Sequence, residues 1–175
     1  VKIDRLVKSI KTSVKIGHTA KLNFIIGFPH ETLGDCLRTI WFGVYCAFRL
    51  GVSDILFSVF SPYPGSELFE DLKKNKKIKV NDNYFNKLHA QFDFTKGDSY
   101  CDNISGKALI ILRLLGFFLC YATIYLSRPV RIYRLFKKIF QKKFSPDNLF
   151  EQRIYEFYLR YQQKRQQKKL VTNTY

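Results

Sequence analysis

The sequence predicts an α/β fold with parallel strands, followed by a helical basic extension. Three observations predict it: two short apolar runs of strand length, an amphipathic stretch of helix length between them, and a change of composition near Ser105–Gly106. The chain has 175 residues, a formal net charge of +16, and 46% hydrophobic and 17% aromatic residues. That is too apolar for a disordered basic tail, so a histone-like or protamine-like use of the charge is excluded. Up to Ser105 there are 15 Lys/Arg against 11 Asp/Glu, a net of +4. From Gly106 onward 15 Lys/Arg face only Asp147, Glu151 and Glu156, a net of +12, so the extension carries most of the charge. Methionine is absent and the chain opens with Val1, from which we expect a piece of a longer protein.

Each element has a local cause. Ile3, Leu6, Val7, Ile10 and Val14 recur at three- and four-residue steps with lysines on the other side, the pattern of an amphipathic helix that Gly17 can stop. Leu22 to Ile26 is a short apolar run ended by Gly27 and Pro29, hence a buried strand. Thr32 or the acidic residues near it can cap the next helix, whose apolar side carries Leu37, Ile40, Trp41, Val44, Tyr45 and Phe48, and which Gly51 closes. Asp54 to Phe60 is a second strand, followed by a Pro/Gly turn and a short helix from about Ser66 to Lys74. Strand, helix and strand at this spacing require parallel strands joined by a crossover. A closed eight-unit barrel needs roughly 200 residues or more, so residues 1–105 supply only part of such a sheet.

In α/β folds ligands sit beyond the carboxyl ends of parallel strands, and both conspicuous loops fall there. After the first strand come Gly27, Phe28, Pro29, His30, Glu31 and Thr32; after the second come Ser61 to Glu67 with Pro62, Pro64 and Gly65. Gly27 lets the backbone approach a ligand closely, Pro29 fixes the turn, and Glu31 lies near a helix N-terminus where negative charge is favoured. Pro64 stiffens the second exit and Gly65 permits a positive φ. Plain strand-to-helix turns with a helix-capping acid account for the same spacing. Neither loop pairs a nucleophile with a base: Ser66 has no histidine beside it, and His30 reads as a surface turn residue. Cys36, Cys46, Cys101 and Cys120 are too few and too scattered for a disulfide scaffold, and no residues stand at metal-ligand spacing.

The segments Phe24 to Thr32 and Ser61 to Leu68 carry a resemblance. Together they resemble the radical S-adenosylmethionine enzymes that have an N-terminal cobalamin-binding domain, including the anaerobic magnesium-protoporphyrin monomethyl ester cyclase type. Those enzymes pair an IGFPGET-like loop with a PYPGT-like loop at about this distance. Tyr125 to Pro129, with Tyr133 beyond, is similar to an FYLRP-like segment near their C-termini. His30 stands where the family has glycine, and Ser66 where it has threonine.

The resemblance implies the C-terminal part of a partial TIM-like (radical SAM) barrel over residues 1–105. It also implies S-adenosylmethionine, a 4Fe-4S cluster held by a CxxxCxxC loop, and cobalamin as cofactors, acting on a small-molecule substrate in the cytoplasm. That cysteine motif is not in this chain, so cluster ligands and any cobalamin domain are expected upstream of Val1, and the chain alone is expected to be inactive. Ile26, Gly27, Pro29 and Glu31, with Pro64 and Gly65, are the positions the resemblance assigns to the cofactor side.

The extension, 106–175, is apolar and then basic. Ala108 to Ser127 is broken only by Arg113, and twenty helical residues span about 30 Å, the thickness of a bilayer's hydrocarbon core. Arg128, Arg131, Arg134, Lys138 and Lys142 then recur at helical steps opposite Ile132, Leu135, Phe136, Ile139 and Phe140, with Pro129 breaking the chain between the two parts. A helix packed on the α/β part, an anionic membrane surface bound through Ala108–Lys143, and a true span all satisfy this pattern. A non-catalytic membrane-binding module is therefore the alternative to the enzyme fragment. Nucleic-acid binding ranks last, because Tyr155, Phe157, Tyr158 and Tyr161 suit helical core spacing better.

Overall fold

The computed structural model describes residues 2–90, 98–140, 148, 150–156 and 159. Lys142, Lys143, Phe157, Tyr158 and Tyr161 of the expected extension lie outside the described residues. The order of elements is α1 (Ile3–Lys15), β1 (Lys21–Ile26), α2 (Leu33–Tyr45), a π-helical turn (Cys46–Leu50), β2 (Asp54–Val59), α3 (Glu67–Lys74), α4 (Asp82–Ala90), α5 (Gly106–Leu126) and α6 (Pro129–Phe140). Two compact units divide the chain, Val1–Ile124 and Tyr125–Tyr175, so α5 belongs almost wholly to the first. The composition change at Ser105–Gly106 is therefore not where the packing divides. The apolar stretch that begins there covers the sheet.

β1 and β2 are parallel, with Lys21 opposite Asp54 and Ile26 opposite Val59. Among the described residues they form a two-stranded sheet. Ile26, Ile55, Phe57 and Val59 are buried on one face, where Phe24 stacks on Phe57 at 5.4 Å between centroids. α2 and α5 both press on Phe57 through glycines. A methyl group at Gly43 would stand 2.9 Å from its ring, and one at Gly116 would stand 3.0 Å away. Burying one such phenylalanine contributes roughly 1.5–3 kcal/mol, and glycine at both crossings is what lets the helices come this close. The opposite face carries Asn23, Ile25, Leu56 and Ser58, which are half-buried or exposed.

The two edges of this sheet differ. Phe60 N–H donates to the Ile26 carbonyl (2.8 Å), and backbone direction alternates along a strand, so Phe57 aims its carbonyl away from β1. Buried Arg113 of α5 donates its Nε–H to that carbonyl at 3.0 Å. The outer edge of β2 is thus met by a side chain at its centre, whereas the outer edge of β1 pairs with no strand among the described residues.

By length and composition α5 could cross a membrane. Its inner side, with Leu109, Leu112, Cys120, Tyr121 and Ile124, is buried within the chain, and Tyr121 donates its hydroxyl to Asp54 at the start of β2. Arg113, the charge that makes a span costly, has its partner in the sheet. This is the packing of a core helix, although Ile111, Leu115 and Phe118 on its outer side are exposed.

In the second unit, Pro129 begins α6, where its missing N–H costs nothing. Asn148 caps residues 150–156 by accepting the Glu151 N–H (2.9 Å). The Tyr125 hydroxyl donates to Glu151 (3.1 Å) and accepts from Asn148 (3.2 Å), and burial pushes its pKa up to about 12.

Candidate functional site

The loop after β1 is a closed knot. Gly27 adopts φ +86°, which turns the chain sharply out of the strand. Glu31 then reaches back, and its Oε2 accepts the N–H groups of Gly27 (2.6 Å) and Phe28 (3.2 Å). The helix cap is a different residue. Thr32 accepts the Asp35 N–H (3.3 Å) while Asp35 Oδ2 accepts the Thr32 N–H (3.0 Å), a reciprocal capping box. Hydrogen bonds from Thr32 hold the Asp35 carboxyl below the usual carboxylate range, and Arg38 adds to this.

A segment far along the chain straps this knot down. The Asp102 N–H donates to the carbonyl of buried Pro29 (2.9 Å), and both the Cys101 thiol (3.2 Å) and the Asn103 amide (3.1 Å) donate to the Glu31 carbonyl. Gly27 is buried, and the group that approaches it closely is Leu109 of α5. A methyl group at Gly27 would stand 2.7 Å from Leu109 Cδ1. Close approach was the expectation for this glycine, and the neighbour that makes it is a side chain of the chain itself.

The loop after β2 is open. Pro64 and Gly65 form an exposed turn with φ +89° at Gly65, and nothing lies within 4 Å of the position a Cβ would take there. Ser66 caps α3 by accepting the Phe69 N–H (3.3 Å) and donates its hydroxyl to the Tyr63 carbonyl (2.8 Å). The two loops meet through apolar groups: Phe28 and Phe60 lie 4.7 Å apart between centroids, within a cluster that includes Phe69, Leu72, Ile78 and Tyr84. Tyr84 of α4 donates its hydroxyl to the carbonyl of buried Pro62.

The expected site residues therefore separate. Ile26, Gly27, Pro29 and Glu31 come together in the buried knot, and Pro64 and Gly65 stand apart on the exposed turn. His30 is exposed and lies 3.7 Å from Asp102. Residues that sequence reasoning missed are Tyr84, Leu109 and the 101–103 strap. The Asn81 side chain that caps α4 by accepting the Tyr84 N–H (2.9 Å) is the one local signal for the first of them.

The cysteines of this chain do not fit an iron–sulfur cluster. Cys36, Cys46 and Cys120 are buried and lack the CxxxCxxC spacing such a cluster needs, and burial pushes their thiols up to about 11, 11 and 12. Cys36 instead donates to Glu31 Oε2 at 3.5 Å. Among the described residues no three His, Cys, Asp or Glu side chains converge on a point. The loop N–H donors of Gly27 and Phe28, which could otherwise meet a ligand, are engaged by Glu31, and the other face of the sheet is partly open. There Ile25 is exposed and the Ser58 hydroxyl donates to Asn23 Oδ1 (3.2 Å).

No family model matches the chain, and no solved structure does. The chain is 39% identical over 64 residues to an uncharacterized methyltransferase of Pyrococcus horikoshii. The match covers 37% of this chain and 13% of that protein, so the chain spans a small part of its relative. The similarity to a methyltransferase is partial.

Proposed function

We propose that this chain forms the C-terminal part of a radical S-adenosylmethionine enzyme of the cobalamin-dependent type, supplying strands and loops beside the cofactor while the cluster ligands come from a preceding segment. The observation that carries the reading is the unequal sheet. Parallel sheets are covered on both faces and are rarely built from two strands. Here α2 and α5 cover one face, Arg113 meets the outer edge of β2, and the β1 edge with the Asn23–Ser58 face is left uncovered among the described residues. The last two strands of a partial barrel whose earlier strands join at the β1 edge would leave this edge and face open in the same way, which supports the reading.

The partial similarity to a methyltransferase supports chemistry that uses S-adenosylmethionine. In the assembled enzyme the cluster would supply the electron that cleaves S-adenosylmethionine. The chain's own part is to present Asn23, Ile25 and Ser58 on the inner face and to hold the Gly27 loop rigid behind them.

The gene upstream of Val1 tests this. It should encode three cysteines in CxxxCxxC spacing, and the longer protein, reconstituted anaerobically with iron and sulfide, should show the absorption of a 4Fe-4S cluster and cleave S-adenosylmethionine. The 175-residue chain alone should do neither. A parent gene without the cysteine triplet, or a stable cluster formed on this chain alone, overturns the proposal.

A further inference from the structure

A cavity of about 710 Å³ opens beside the strand-end loops. Sites for small molecules typically measure about 300–1,000 Å³, so this one is large enough to hold one. Its walls are the segment after α3, the start of α4, and residues 98–102. Two of these walls are fixed to the carboxyl ends of the strands, through the Tyr84 hydroxyl on Pro62 and the Asp102 N–H on Pro29. The cavity therefore lies where an α/β sheet presents its ligands.

Its charge is net basic: Lys76, Lys77 and Lys79 line it within four residues, against Asp98 and Asp102 on the facing segment, and Asn81 and Asn83 add amide groups. Lys77 is ion-paired to Asp102. Lys76 and Lys79 are exposed and form no ion pair with a described residue. Ile78, between Lys77 and Lys79, also lines the cavity and belongs to the buried apolar cluster.

Lys76 follows α3 with φ +56°, the one described non-glycine residue with positive φ. Its N–H bonds the Lys73 carbonyl (3.0 Å) and the Lys77 N–H bonds the Leu72 carbonyl (2.9 Å). That is a helix ending which glycine usually fills. A lysine is kept in a strained conformation at the rim of the cavity.

We propose that this cavity binds a small polyanion, a molecule bearing two or more carboxylate or phosphate groups, held by Lys76 and Lys79. The assignment deepens the reading of the strand ends as the ligand edge of an enzyme and names the class of molecule admitted there.

Pyrophosphate and citrate titrated calorimetrically into the 175-residue chain at physiological salt test it. Saturable one-to-one binding is expected with at least one of them. The double variant Lys76→Glu/Lys79→Glu should weaken it about tenfold or more, because two charge-assisted contacts become repulsive even after solvent screening. Lys8→Glu/Lys11→Glu on α1 changes the net charge equally, away from the cavity walls, and should weaken binding by less than about twofold. Lys76→Gln/Lys79→Gln, a milder pair, should give an intermediate loss with an unchanged melting temperature. No saturable binding, or equal weakening by the two charge-reversed pairs, overturns the site. A parent gene without cluster cysteines would overturn the enzyme reading and leave these titrations as they stand, so the two failures are distinguishable.

Discussion

Each strand-end loop holds a glycine at nearly the same left-handed φ, +86° at Gly27 and +89° at Gly65, in opposite surroundings. Gly27 is buried under Leu109, its N–H held by Glu31 and its loop strapped by Asp102 and Asn103. Gly65 turns in solvent with open space where a side chain would go. The dihedral angle is common to both. What differs is the packing, and packing decides whether a glycine is a hinge of the core or a turn on its surface.

Substitution at Gly27 should have the largest effect. Alanine in the left-handed region costs roughly 1–2 kcal/mol, and forcing a methyl group against Leu109 adds about 1–3 kcal/mol of overpacking, so Gly27→Ala should lose about 3 kcal/mol in urea unfolding. Adding Leu109→Ala should return the overpacking part in a double-mutant cycle while leaving the strain. If Gly27→Ala proves no more costly than the same change at Gly65, the comparison fails. Glu31→Ala comes next. It leaves the N–H groups of Gly27 and Phe28 without their acceptor, and each unmet donor costs about 1 kcal/mol or more, so a loss of about 2 kcal/mol is expected. Those two amides should also exchange with solvent faster, and unchanged exchange would show that the knot is held by the strap alone.

Much of this contrast lay beyond the sequence, for a physical reason. Strand ends, turns and caps depend on neighbours within a few residues, so β1, β2, the Gly27 and Gly65 turns and the cap at Thr32 were legible. α4 was not, because among its described residues Tyr84 and Leu88 are fixed by packing on a cluster most of whose other members lie far along the chain. The contacts that close the first loop join Gly27 to Leu109, Pro29 to Asp102 and Glu31 to Asn103. Pairings across that much chain leave no periodic trace in one sequence. Arg113 illustrates the same gap. Composition marked it as a charge in an apolar stretch, while its role depends on β2 presenting the Phe57 carbonyl to it. The apolar run at 108–127 was likewise visible as a helix, but the sheet decides which side of it is core.

Gly65→Ala should give the smallest effect and sharpens the comparison most. With nothing within 4 Å of the new methyl group, the overpacking contribution vanishes and only the conformational cost remains. That cost is roughly 1 kcal/mol, partly offset because alanine also narrows the unfolded ensemble. The expected loss is therefore about a third of that at Gly27, and no change elsewhere in the chain should rescue it, since no neighbour is displaced. Equal losses at the two glycines would mean that φ alone sets the cost and that Leu109 yields freely. A loss at Gly65 well above 1 kcal/mol would mean that the exposed turn is packed against something in solution, and the open loop after β2 would have to be redrawn as a second closed one.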